Sequence, residues 1–440
     1  MLLISIGTAN SVQTKSNVLF VIVDDANPYA HSMDGSNVAS TPNLERLAAR
    51  SARFTHAYVN VPACAPSRTA MLTGIAAHRS GSYYNNHSFR ETGGWFSKVD
   101  SLPYHFKENG YLAAGYGKVF HFPDKDTDSF TAGYFVPFSN KQDRDLLEHI
   151  LPGSRTVISE KMANYDFGQL PDDWDLADPQ KMQQDTLNVE RAIKLLNDES
   201  SQPLFIACGI YRPHVSWTVP KRYFDQFPLE DIEIPESYLP NDLEDLPKPA
   251  RWAATRRGFH HLITRGGLWK RCLQAHYASI VYMDDLLGRL LDGLEASGKA
   301  PNTYIVFIAD NGYHLGEKDH WSKFALWEIA SKVPLMIAGS GIRPGTYDTP
   351  VSSLDLYPTL IELNGLAPPP THSLDGISLV SLLKGENQTR GRPVLITHGP
   401  GNHAIRSDRY RYIRYRNGDE ELYDHQNDPW EWNNLSSNPV

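Results

Sequence analysis

Cys64 lies in the stretch Val61-Pro-Ala-Cys-Ala-Pro-Ser-Arg-Thr-Ala-Met-Leu-Thr-Gly74, whose residue types and spacing suit chemistry on an anion. Pro66 fits the first turn of a helix, Ala70, Met71 and Leu72 propagate it, and Gly74 can close it. Cys64 is thereby placed just before a helix N-terminus, where unpaired N–H groups favour negative charge. Arg68, one turn on, adds a planar cationic fork suited to a tetrahedral oxyanion. A lone cysteine is more often an inert buried thiol. Here the proline and arginine at fixed offsets argue for a site. A thiolate phosphatase would want a longer, glycine-rich phosphate loop, and none is present.

Other reactive residue types stand at the ends of apolar runs. Asn17-Val-Leu-Phe-Val-Ile-Val precedes Asp24 and Asp25. Such a run, apolar on both sides of the pleat, reads as a central strand of a parallel sheet. Adjacent acids repel unless a cation lies between them, so a hard metal with oxygen ligands is the simplest account. Tyr111 to Tyr116 delivers Lys118 and His121, Leu204 to Ile210 delivers His214, and Thr303 to Ala309 delivers Asp310 and Asn311. Taken singly each is ordinary. In one parallel sheet the carboxyl ends of the strands share an edge, so residues distant in the chain converge.

The remaining elements follow from period and punctuation. Helices are predicted at Thr41–Ala48 with Thr41 as cap, Tyr104–Asn109, Met182–Leu196, Leu273–Gly293, Ser353–Leu363 and Leu379–Leu383. Further strands are expected at Phe54–Val59 and Lys332–Ala338. Residues 122–200 read as a long insertion that contributes to specificity, and Pro220–Gly267 as mostly surface loop. After about residue 385, four short alternating segments suggest a small antiparallel sheet. The predicted fold is α/β, a large mixed, mostly parallel sheet flanked by helices, with a catalytic region at 16–384 and a C-terminal subdomain at 385–440.

The chain has 440 residues and a formal net charge of -9, which argues against nucleic acid as a partner while leaving room for a local cationic pocket. Three cysteines, Cys64, Cys208 and Cys272, make no disulfide framework, and Cys208 and Cys272 read as free buried thiols. No apolar stretch is long enough to span a membrane. Residues 1–10 read at most as the rump of a secretory signal, being short and without a basic start.

The unbroken pattern Cys64-x-Pro66-Ser67-Arg68-x-x-x-Leu72-Thr73-Gly74 resembles the signature of type I sulfatases. The likeness extends to Asn17–Asp25, Thr41–Ala48, Gly117–His121, Arg212–His214, Ala309–Gly312, Lys323, Asp355–Leu360 and the closing Glu421–Glu431 segment. Gly117-Lys-Val-Phe-His121 and Leu315-Gly-Glu…Trp321-Ser-Lys323 are similar to the iduronate-2-sulfatase branch, although Asn311 stands where the lysosomal iduronate enzyme has histidine. The resemblance implies an alkaline-phosphatase-like sheet, export to the periplasm or beyond, and a maturation enzyme that oxidises Cys64 to formylglycine. It implies Ca²⁺ held by Asp24, Asp25, residue 64, Asp310 and Asn311. The implied roles are a hydrated aldehyde at 64 as nucleophile, steadied by Arg68 and Lys118, and Asp310 as its base. His214 and Lys323 would bind the sulfate and protonate the leaving alkoxide, and His121 would take the proton that expels sulfate.

The substrate so implied is a sulfated oligo- or polysaccharide, a 2-O-sulfated uronate or a similar ring. Two rivals stand beside it. A phosphate or phosphonate monoester hydrolase of the same superfamily would use a similar nucleophile. A catalytically silent glycan-binding protein would have little use for Cys64, Arg68, Lys118 and His214 together.

Overall fold

The computed structural model describes residues 15–32, 38–134, 156–157, 166–170, 172 and 183–437. The secretory reading of residues 1–10 and much of the 122–200 insertion lie outside these residues. The main sheet contains β1 (Asn17–Val23), β2 (Ser51–Tyr58), β3 (Leu112–Gly117), β4 (Ala132–Tyr134), β5 (Leu204–Ile210), β6 (Thr303–Ala309), β7 (Lys332–Ala338) and β8 (Gly345–Tyr347). Their order is β8-β2-β7-β6-β1-β5-β3-β4, with Val351–Ser352 also paired to β2. Only β7 runs against its neighbours, so the sheet is mixed but mostly parallel, as expected.

The central strands are β-branched and aromatic runs buried along both faces, with Phe20, Val21, Ile22 and Val23 fully enclosed. Enclosing each such side chain contributes roughly 1.5–3 kcal/mol. One group of helices, Pro42–Ala48, Gln184–Asn197 and Trp269–Ala296, packs together on the sheet. A second group comprises Cys64–Thr73, Leu102–Glu108 and Leu356–Leu363. The Trp269 helix outruns its predicted span by several residues at its start, and its buried residues wrap well beyond one face.

Register then sets the site. Val23 pairs with both Ile210 and Ala309, and Gly117 pairs with Gly209. Four strands therefore finish level, and the residues that follow them meet at one rim. Gly117 adopts φ +69, and a Cβ there would lie 2.2 Å from the Gly209 carbonyl oxygen. The turn into Lys118 crosses β5 that closely, so a side chain at 117 would push Lys118 off the rim.

Pro220–Gly267 departs from expectation. It contains helices Lys248–Thr255 and Phe259–Arg265, with Ala250, Ala254, Phe259 and Ile263 buried. Pro249 opens the first of these, but charged residues between the buried positions hide the period in the sequence. The C-terminal strands Val394–Thr397, His403–Arg406, Tyr410–Arg414 and Glu420–Asp424 form an antiparallel sheet as predicted. It shares a buried cluster with Tyr58, Ala325, Leu326 and Trp327, which ties it to the main sheet.

Candidate active site

Cys64 occupies the first position of the Cys64–Thr73 helix, after Ala63 in extended conformation, and Gly74 closes the helix at φ 68. The half-buried Asn85 side chain oxygen accepts from the Ala65 N–H at 2.9 Å and fixes this turn. Lys323 reaches it from the loop between β6 and β7, its Nζ donating to Cys64 Sγ at 3.0 Å and to the two Asp25 oxygens at 2.5 and 2.7 Å. Cys64 Sγ lies 3.4 Å from Asp24 Oδ1. Arg68, wholly buried, donates from Nε to Asp310 Oδ2 at 2.7 Å and from Nη1 to the Lys118 and Val119 carbonyls. Lys118 Nζ pairs with Asp24 and lies 4.8 Å from the centre of the Tyr211 ring. His214 Nε2 is 3.5 Å from Asp25 Oδ2, while its Nδ1 bonds the Val215 carbonyl.

Every residue singled out from the sequence is thus at this rim. His121 is the loosest member. Lys118, Asp24, Arg68 and Lys323 all act on its charge, and its Nδ1 is buried without a hydrogen-bond partner. Arg212 turns away to the Thr218 carbonyl at 3.0 Å. Sequence reasoning missed Tyr211, which lies under Lys118 and 4.5 Å from the His214 ring, and Asn85, for which no spacing signal exists.

Electrostatics reverses one expectation. A helix N-terminus should favour the Cys64 thiolate, but burial and then Asp24 push the thiol well above its ordinary range. Unmodified, Cys64 is a protonated and poor nucleophile. Burial raises Asp25 and carries Asp310 up to about 7, against the pull of Lys323 on the first and Arg68 on the second. For Asp24, burial is outweighed by the Lys118, Arg68 and Lys323 cations, and its carboxyl stays well below the usual range. Burial and Lys323 keep His214 neutral; burial and Lys118 do the same to His121. Burial would strip Lys323 of its proton, but the Asp25 and Asp24 carboxylates, with Asp310 beyond, hold it charged.

The residues fit a hard divalent cation. Asp24, Asp25, Cys64 and His214 each bring a ligand atom within 4.8 Å of the others. Asp310 joins through the Asp25 N–H at 3.2 Å, and Asn311 donates from Nδ2 to Asp25 Oδ1 at 2.6 Å. The carbonyl oxygen of the Asn311 side chain is buried and accepts no hydrogen bond. A buried acceptor without a donor costs about 1–3 kcal/mol, so it marks a place for a cation. Asp25 is further held at φ 59, a strained backbone setting typical of functional positions.

Comparison with known proteins agrees with this geometry. Residues 16–366 match the family described as Sulfatase, and residues 316–440 match the C-terminal region of N-sulphoglucosamine sulphohydrolase. A sulfatase of Formosa agariphila is 36% identical over 96% of this chain and 83% of its own. A choline-sulfatase of Rhizobium meliloti is 30% identical over 97% of this chain and 83% of its own. Human iduronate 2-sulfatase is 31% identical over 85% of this chain and 68% of its own, so the iduronate branch is one of several represented. Among solved structures, the phosphonate monoester hydrolase of Agrobacterium radiobacter shares the fold, with TM-score 0.76, 19% identity, and coverage of 96% of this chain and 92% of that one. The chain belongs to the sulfatase family, and it is a sulfuric ester hydrolase.

Proposed function

We propose that the chain hydrolyses sulfate esters on a sulfated carbohydrate, a 2-O-sulfated uronate or a related ring, with residue 64 oxidised to formylglycine and Ca²⁺ bound. The observation that carries this reading is the convergence of Arg68, Lys118 and Lys323 around Cys64 in one buried cluster with three carboxylates. The protonated state of the unmodified thiol supports a nucleophile made by oxidation. Formylglycine, once hydrated, supplies a hydroxyl for attack on sulfur and a second hydroxyl whose ionisation releases sulfate. Ca²⁺ held by Asp24, Asp25, residue 64, Asp310 and Asn311 would offset the charge of the sulfate and polarise an S–O bond.

The side chains then divide the proton transfers. Asp310, buried at the rim and held by Arg68 Nε at 2.7 Å, is placed to accept the proton of the attacking hydroxyl. Arg68 and Lys118 orient the oxygens on residue 64. Lys323, held charged, counters the sulfate and donates to the leaving alkoxide, with His214 beside it as a neutral hydrogen-bonding partner. His121, held neutral with an unpartnered Nδ1, takes the proton whose loss expels sulfate.

The partners in this reading are a sulfated oligo- or polysaccharide and a formylglycine-generating maturation enzyme, and the working location is the periplasm or outside the cell. The second reading, phosphate or phosphonate ester hydrolysis, draws on the shared fold with a phosphonate monoester hydrolase. The test is ion-chromatographic release of sulfate from defined sulfated oligosaccharides, run beside matched phosphate and phosphonate esters on one matured preparation. Sulfate release at kcat/KM at least about a hundredfold above the phosphorus esters is expected. The reverse ranking would replace the first reading with the second.

A further inference from the structure

We propose that Arg256, Arg257 and Trp252 form a second recognition subsite, which binds a further anionic substituent, carboxylate or sulfate, on the glycan whose ester is cleaved. This deepens the sulfatase reading and rests on it. The subsite begins where the catalytic cluster ends. Lys323 Nζ, at Cys64, lies 5.9 Å from the centre of the Phe324 ring. The Arg257 guanidinium lies 4.5 Å from that same ring centre and Arg256 6.0 Å from it. The arginine pair and the ammonium that would meet the sulfate thus share one phenyl ring as a neighbour.

Phe324 is fixed in this place. Its N–H donates to the Pro62 carbonyl at 3.0 Å, and its ring packs with Val61, Ala63, Ala77 and Tyr83 beside the Cys64 turn. Its φ of 67 is a setting a bulky residue takes at a cost of roughly 1–3 kcal/mol, and such strain gathers at functional positions. Behind it opens a cleft of about 110 Å³ lined by Trp252, Arg256, Phe324, His398, Asn402 and Tyr415. Trp252 is 63% exposed, with Arg256 4.8 Å from its ring centre.

An exposed indole beside a guanidinium offers a sugar one apolar face and one anion contact. The local field has the matching sign. Besides burial, the groups that act on His398 are Arg256, His320 and Arg257, and its Nδ1 is buried without a hydrogen-bond partner. In a chain of net charge -9, two consecutive arginines at this rim concentrate positive potential where a second negative group would lie. A purely structural role would be met by the arginines' packing against their neighbours, Phe324 among them. It would leave the exposed Trp252 and the open cleft without use.

The test uses the full, matured chain and the variants Arg256→Gln with Arg257→Gln, and Trp252→Ala. Kinetics would be measured on an aryl sulfate with no charge beyond its sulfate, a sulfated disaccharide bearing a carboxylate, and one bearing a second sulfate. In the double arginine variant, the preference in kcat/KM for the charged disaccharides over the aryl ester should fall at least about tenfold, mainly through KM. Addition of 0.5 M salt to the wild type should imitate much of the loss, on the order of a few-fold. An unchanged preference overturns the subsite, as does an equal fall in kcat on all three esters, which would mean the arginines only brace Phe324 and Lys323. Calorimetric binding of the desulfated, carboxylate-bearing disaccharide needs no turnover. Binding weakened tenfold in the double variant supports the subsite even if no ester releases sulfate, whereas equal binding or none in the wild type refutes it.

Discussion

Two buried clusters of charge lie close to the upper edge of the same sheet, and they differ in what they leave undone. At the rim, Asp24, Asp25 and Asp310 face Arg68, Lys118 and Lys323. At the seam with the C-terminal sheet, Glu328 and Glu431 face Arg411, with Arg406 and His425 alongside. In the seam every carboxylate oxygen has a partner. Glu328 accepts from Tyr58 at 2.7 Å and from Arg411 at 2.5 Å, while Glu431 accepts from His425 at 3.0 Å and from the Glu328 N–H at 2.8 Å. The rim leaves the Asn311 side chain oxygen, Arg68 Nη2 and His121 Nδ1 buried without hydrogen-bond partners, whereas in the seam Arg411 Nε lacks a well-aligned one but still lies 2.7 Å from Glu431 Oε1. Backbone strain does not separate the two, since Asp25 sits at φ 59 and Glu431 at φ 62. Incomplete satisfaction does. A nearly saturated network fastens two sheets together, and a less saturated one keeps donors and acceptors for a ligand.

The largest effects should come from removing one cation from each cluster. Lys323→Ala is expected to lower kcat for sulfate release by about 10²–10⁴-fold and to cost less stability than Arg411→Ala, because the Asp25 carboxyl, already raised by burial, can take up a proton. Arg411→Ala should do the opposite. It strands Glu328 and Glu431 in the interior, at a cost of roughly 3–5 kcal/mol, yet turnover per folded molecule should stay within about threefold. Parallel sulfate assays and thermal melts read both outcomes, and an Arg411→Ala enzyme that melts like wild type would erase the distinction.

The rim was largely legible in the sequence because its members follow apolar strands directly. Asp24, Lys118 and Asp310 each come one residue after a strand, and parallel register levels those ends. The seam was not legible. Its partners lie 83 and 103 residues apart, on segments whose charges look like ordinary solvated surface. The Lys248–Arg265 helices were hidden for a similar reason, since their buried alanines are interleaved with arginine and lysine. The sign of the Cys64 shift also escaped, because burial and Asp24 come from the folded chain, whereas the helix N-terminus is local.

Metal binding sharpens the contrast at smaller amplitude. Ca²⁺ at a hundredfold excess over its dissociation constant should stabilise the wild type by about 2.7 kcal/mol. The melting shift should vanish in Asp25→Asn and persist in Glu431→Gln. Equal shifts in both variants would remove the cation from the rim.

The smallest expected effect is a pH slope. Burial alone would raise Glu328, but His425, Arg411 and Arg406 hold it well below its ordinary value of 4.5. The folded state therefore binds fewer protons there than the unfolded chain. The resulting stability is present above about pH 4.5 and is lost as pH falls towards the folded value. Glu328→Gln should melt lower than wild type at pH 7, and the gap should narrow below pH 4.5. A gap independent of pH would show that Glu328 is not charged in the seam.

The most direct check on the rim as a site of sulfate-ester hydrolysis is to co-express the chain with graded amounts of maturation enzyme. Sulfate release would then be plotted against the fraction of residue 64 found oxidised by peptide mass spectrometry. A straight line through the origin is expected, with Cys64→Ala at zero. Full turnover from preparations in which residue 64 remains cysteine would contradict it.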